Sequence, residues 1–151
     1  MKLTKLITPL FTLALCCSLT QNLDASPLTQ RQGITVQILG LPQPTGTMHC
    51  SLFAQRKGFP DQAQYALQTV KVKLKHKRAT CHFSVSTTGS YAVAVWHDVN
   101  DNHQIDKTWF GAPKEPVGAS NNAAATFGPP SFTDARFLHE RPATEIYINL
   151  G

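Results

Sequence analysis

The chain has 151 residues, enough for one domain and too few for two comfortable ones. Its 14 Lys and Arg stand against 9 Asp and Glu, a formal charge of +5 that is only a modest basic excess. No internal repeat, low-complexity tract or heptad is present, which excludes solenoid, fibrous and coiled-coil architectures.

Met1 to Lys5 is short and basic, Leu6 to Leu19 is mostly apolar, and a polar stretch from Gln21 to Asp24 leads to the small residues Ala25 and Ser26. That layout predicts a secretory signal peptide over residues 1–25, cleaved after Ala25, a short linker over 26–32, and one domain over 33–151. A membrane anchor is the competing reading, but the apolar run is shorter than the roughly 20 residues a bilayer requires. Lipid attachment at Cys16 or Cys17 is a further alternative, disfavoured because Leu15 and Cys16 precede them where a small residue is usual. Cleavage leaves 12 Lys and Arg against 8 Asp and Glu, hence a charge of +4, and no transmembrane span. The expected location is periplasmic or secreted.

After a polar lead from Ser26 to Gln32, Ile34, Val36 and Ile38 alternate with Thr35 and Gln37 and predict a first strand ending at Gly40 and Pro42. Gly46 to Gln55 predicts a second, with Met48, Cys50 and Leu52 on one side. Gly58 to Asp61 breaks the pattern, and Asp61 to Ala66 fits either one helical turn or a loop. Leu67 to Leu74 alternates again. His76 to Arg78 marks a turn, and Ala79, Cys81, Phe83 and Val85 mark the next strand. Tyr91, Val93 and Val95 oppose Ala92, Ala94 and Trp96 in the clearest strand, and Ala143 to Leu150 supplies the last. Phe132 to Leu138 fits a further strand or an irregular piece. With ten Pro, nine Gly and no long helical period, the chain reads as all-β. The expected architecture is a single antiparallel β-sandwich of about seven strands with a long ordered loop before the last ones.

Lys71, Lys73, Lys75, Lys77 and Arg78 gather in one strand region, interleaved with Val72 and Leu74 but with no aromatic residue to stack on bases. They read as the lysine-protected edge of a sheet, not as a nucleic-acid site. Only Cys50 and Cys81 survive signal cleavage. In an oxidising compartment a Cys50–Cys81 disulfide is the expectation, with two buried free thiols as the alternative.

Three spaced motifs agree in order: GSYAVAVWHDVNDN, then FGAPKEPVGASNNA, then FGPPSFTDARF. Over about residues 33–151 this combination resembles a bacterial family of small exported proteins known as domain of unknown function 2141. The resemblance implies an immunoglobulin-like or prealbumin-like sandwich in the cell envelope or outside it. It implies no activity.

The loop after the clearest strand places oxygen side chains at alternate steps. Counted from Asp98, Asn100 is at position 3, Asn102 at 5, Gln104 at 7 and Asp106 at 9, the order in which calcium loops arrange their ligands. Calcium is therefore the candidate cofactor, with Ile105 expected to point inward and pin the loop. Two departures weigh against it: position 6 is His103 where the sharp turn favours Gly, and position 12 is Trp109, so the bidentate Glu is missing. An added carboxylate would have to come from Asp101, Glu115 or Asp134. The alternative is a turn whose Asp and Asn side chains bond their own backbone.

Downstream, Trp109, Phe110, Pro113, Lys114, Glu115, Ser120 and Asn121 form a candidate ligand-binding platform at one end of the sandwich. On the alternative reading Phe110, Phe127, Phe132 and Phe137 plug that end. A zinc or copper site built from His49, His82 and His97 has no supporting spacing, and neither has a hydrolytic pair of Glu115 and Asp134. The leading expectation is a non-enzymatic exported module, binding or structural, that meets an envelope or extracellular ligand. The alternative is a cell-envelope hydrolase using the same loop face.

Overall fold

The computed structural model describes residues 32–124 and 128–151. The expected signal peptide, the linker apart from Gln32, and Phe127 lie outside the described residues. Among the described residues eight strands follow in chain order: β1 (Gly33–Leu39), β2 (Thr47–Phe53), β3 (Gln68–Lys73), β4 (Ala79–Phe83), β5 (Gly89–Asp98), β6 (Val117–Ala119), β7 (Phe137–His139) and β8 (Ala143–Asn149). A three-stranded sheet has the order β4-β1-β8, and a larger one the order β3-β2-β5-β6 with β7 paired to the start of β5.

The expected sandwich is present as two sheets, but it is not purely antiparallel. β1 and β8 run parallel, with Ile34 opposite Thr144 and Ile38 opposite Ile148. Side-chain alternation reports which face of a strand is buried and carries no information about the direction of its neighbour. A parallel pair requires a long crossover, and here most of the domain lies between the two strands.

Ile34, Val36 and Ile38 of β1 face Met48, Cys50 and Leu52 of β2 and Val93 and Val95 of β5 in one apolar core. Cys50 and Cys81 are bonded, with S–S 2.01 Å, and because β2 and β4 belong to different sheets the bridge ties the two layers together. β3 is an edge strand whose lysines point to solvent, as expected for a protected edge. His76 and Lys77, at φ 51° and 60°, make the turn that carries the chain from β3 in one sheet to β4 in the other.

β2 is buried on both faces, which positions the functional region. Its second face carries Thr47, His49, Ser51 and Phe53, and the register sets His49 beside Trp96 and Ser51 beside Ala94 of β5. Loops cover this face. Phe53 packs edge-on against Phe59, and Phe59 against Phe132, over a small cluster of Ala92, Ala119 and Ala135. The two ambiguous stretches resolve as single turns: a 3-10 turn at Ala63–Tyr65, and α1 (Phe132–Ala135) followed directly by β7. The Ser131 hydroxyl caps α1 by accepting from the Asp134 N–H at 3.2 Å. β6, inside the expected long loop, is the strand that the pattern does not announce. Among the described residues no helix is long and apolar enough to cross a membrane.

Candidate functional site

The loop leaving β5 is built on two successive side-chain turns. Asn100 Oδ1 accepts from Asn102 N at 3.2 Å, and Asn102 Oδ1 accepts from Gln104 N at 2.8 Å. With their oxygens so engaged, both amides turn their nitrogens to one carboxylate: Asn100 Nδ2 and Asn102 Nδ2 donate to Asp106 at 2.9 and 3.3 Å. Asp98 closes the turn from below, accepting from Asn102 N at 3.1 Å and His103 N at 2.9 Å. The loop thus brings Asn100, Asn102 and Asp106 together in the self-bonded arrangement. Gln104 joins them through its backbone N–H and also lines a groove, and Ile105, half-buried, lines the same groove and does not enter the main core.

The candidate extra carboxylates have other roles. Glu115 is buried and ties the two feet of the loop, accepting from Val99 N at 3.0 Å and Asp106 N at 3.3 Å. Asp101 turns outward to Lys73 Nζ at 2.7 Å and the Thr47 hydroxyl at 2.5 Å, contacts that hold its carboxyl below the usual range. Asp134 belongs to the cap of α1.

Asp98 itself is fully buried. Burial alone would raise its pKa, but the His103 and Asn102 N–H groups and the neighbouring His49 outweigh it and hold the carboxyl below its ordinary value. His49 Nε2 lies 3.4 Å and His103 Nδ1 3.3 Å from Asp98 Oδ2, so three titratable groups converge. His49 stacks on Trp96 with ring centroids 4.0 Å apart. Burial and then the charge of Lys71 lower its pKa, against the pull of Asp98.

The histidines outside this cluster do other work. His82 bonds Thr35 Oγ1 at 3.2 Å, and His97 points into the sandwich and meets the Thr45 carbonyl at 2.7 Å. Of the trio considered from sequence, His49 alone takes part, and His103 joins it. The available signal was its place in the loop: His103 occupies the glycine position at φ 64°, which aims its ring back at Asp98.

The platform residues divide. Trp109 and Phe110 stand at the tip of a hairpin closed by Thr108 and Ala112, 95% and 65% exposed, with Pro113 and Lys114 exposed beside them. The exposure of Phe110 excludes it as a plug, whereas Phe132 and Phe137 are partly buried against the two apolar clusters. Ser120 is buried, accepting from Val93 N at 2.9 Å and donating to the Ala135 carbonyl at 2.5 Å. Asn121 Nδ2 donates to the carbonyls of Arg136 and Asp134, at 2.8 and 3.3 Å. Ser120 and Asn121 therefore lock α1 to the sheet.

Between the hairpin and the turn at Pro60 runs a groove of about 710 Å³, floored by Ala94 and Trp96 and walled by Ile105, Pro113, Val117 and Pro130. His103 and Lys107 stand on one of its sides.

With this geometry in view, the chain can be set beside known proteins. The family model described as "Uncharacterized protein conserved in bacteria (DUF2141)" matches residues 36–147. The chain belongs to that family. For DUF2141 this match takes in Cys50 and Cys81, the loop, the hairpin and all but the ends of the sandwich. No curated protein and no solved structure matches it.

Proposed function

We propose that this DUF2141 protein is an exported, non-enzymatic binding module that receives the apolar body of a small envelope or extracellular ligand in the groove beside the Trp109–Phe110 hairpin. The observation that carries the reading is the groove itself. Its volume of about 710 Å³ falls within the usual range for small-molecule sites, and Trp96, Ile105, Val117 and four prolines supply mostly carbon walls. Export is supported by the amino-terminal signal layout and by the cystine between the layers. Calcium in the Asp98–Asp106 loop is not part of this reading, because the Asn100 and Asn102 oxygens are engaged by backbone N–H groups.

The groove floor provides its own reporter. The chain has two Trp, so Trp109→Phe leaves Trp96 as the single emitter. Titration of that variant with decanoate is expected to give a saturable change in Trp96 emission, and adding Ala94→Phe, which fills the floor, is expected to remove it. No saturable change, or a change indifferent to Ala94→Phe, would refute the groove as a ligand site.

A further inference from the structure

We propose that His49, Asp98 and His103 form a binding site for an imidazole-preferring divalent cation such as Zn²⁺ beside the groove. The three side chains come from β2, the end of β5 and the loop, so the site exists only in the folded chain. His49 Nε2 and His103 Nδ1 stand 3.4 and 3.3 Å from Asp98 Oδ2. Ligands bonded to zinc at about 2.0–2.1 Å in a tetrahedron are separated by about 3.3–3.4 Å. Two edges of the site therefore have the length that zinc requires. The remaining pair lies within 4.8 Å, and the His103 side chain, 62% exposed, is free to rotate inward and close it.

A second observation concerns burial. The His49 side chain is only 10% exposed, and beyond the long 3.4 Å approach to Asp98 Oδ2 its buried Nε2 has no hydrogen-bond partner. A polar atom so placed is unfavourable unless something fills the space it faces. Backbone N–H groups hold the Asp98 carboxylate in place, Asn102 at Oδ1 and His103 at Oδ2, the oxygen that faces both imidazoles, as supporting contacts do around metal ligands. Two nitrogen donors among three select against calcium and magnesium, which take oxygen. Of the three, His103 alone also lines the groove. The cation site does not depend on the groove being occupied.

The left-handed backbone of His103 supplies a clean test. His103→Gly removes a ligand while relieving an unfavourable conformation, so the metal-free variant is expected to melt no lower than the parent. Calorimetric titration of chelator-treated, tag-free protein is expected to show one Zn²⁺ per chain with a rise in melting temperature. His103→Gly is expected to lose more than about tenfold of that affinity, and His49→Gln likewise. Parent protein that ignores Zn²⁺, or a His103→Gly variant with parental affinity, would overturn the site. So would Ca²⁺ that competes with Zn²⁺ and is abolished by Asp106→Asn, which would place the cation in the oxygen loop instead.

Discussion

Replacing both bridge cysteines by alanine tests how the two layers are held together. Cys50 and Cys81 are 31 residues apart, and a cross-link closing such a loop removes about 12 cal/mol/K of unfolded-chain entropy, or about 4 kcal/mol at 25 °C. Both side chains are essentially inaccessible, so loss of the sulfur atoms also leaves a small void between the sheets. A domain of about 120 residues has an unfolding entropy of about 250 cal/mol/K near its midpoint, so the expected fall in Tm is about 15 °C. Alanine is the informative choice, because serine would bury two hydroxyls and mix a polar penalty into the result. Urea unfolding of Cys50→Ala/Cys81→Ala against the oxidised parent, followed by tryptophan emission, measures the difference directly. A loss below about 1 kcal/mol would refute the loop-entropy reasoning. Alkylation of both cysteines in unreduced protein would show that the bridge does not form.

Ser120→Ala leaves the Val93 N–H and the Ala135 carbonyl without their buried partner, and a cost of about 2–4 kcal/mol in urea unfolding is expected with decanoate binding unchanged. Trp109→Ser with Phe110→Ser should behave in the opposite way: stability within about 0.5 kcal/mol of the parent, since both rings are exposed, but weaker retention of decanoate. Gly46→Ala is expected to destabilise markedly, because Gly46 sits at φ 96° and an added Cβ would meet the Asp98 carbonyl oxygen; a parental Tm would contradict the described loop entry. For pH, the folded-state pKa of Asp98 is depressed, so its contribution is present above the unfolded carboxyl pKa and is lost as pH falls through the folded value. The folded-state pKa of His49 is also depressed, so its contribution is complete above the ordinary histidine pKa and declines as the ring is forced to charge. Stability of the chelator-treated protein is therefore expected to fall on acidification, first below the ordinary histidine range and again below the ordinary carboxyl range. Asp98→Asn should flatten the lower step.

The sequence by itself determined which residues are interior. Alternation at Ile34, Val36 and Ile38, at Met48, Cys50 and Leu52, and at Tyr91, Val93 and Val95 named the sandwich core, because a half-buried strand must repeat every second residue. It also pointed to the Cys50–Cys81 bridge and to the lysine-rich strand as an edge, both of which are present in the fold. Only the tertiary structure decided the direction of β8 beside β1, since pairing direction leaves no trace in a single strand's pattern. It alone showed Glu115 and Ser120 turned inward, because a polar residue in a loop looks the same in sequence whether it faces solvent or a stranded backbone group. The cluster of His49, Asp98 and His103 was equally beyond reach, for a reason of register. His49 and Asp98 become neighbours only when β2 pairs with β5, and His103 joins them only when a left-handed residue folds the loop back over that pair.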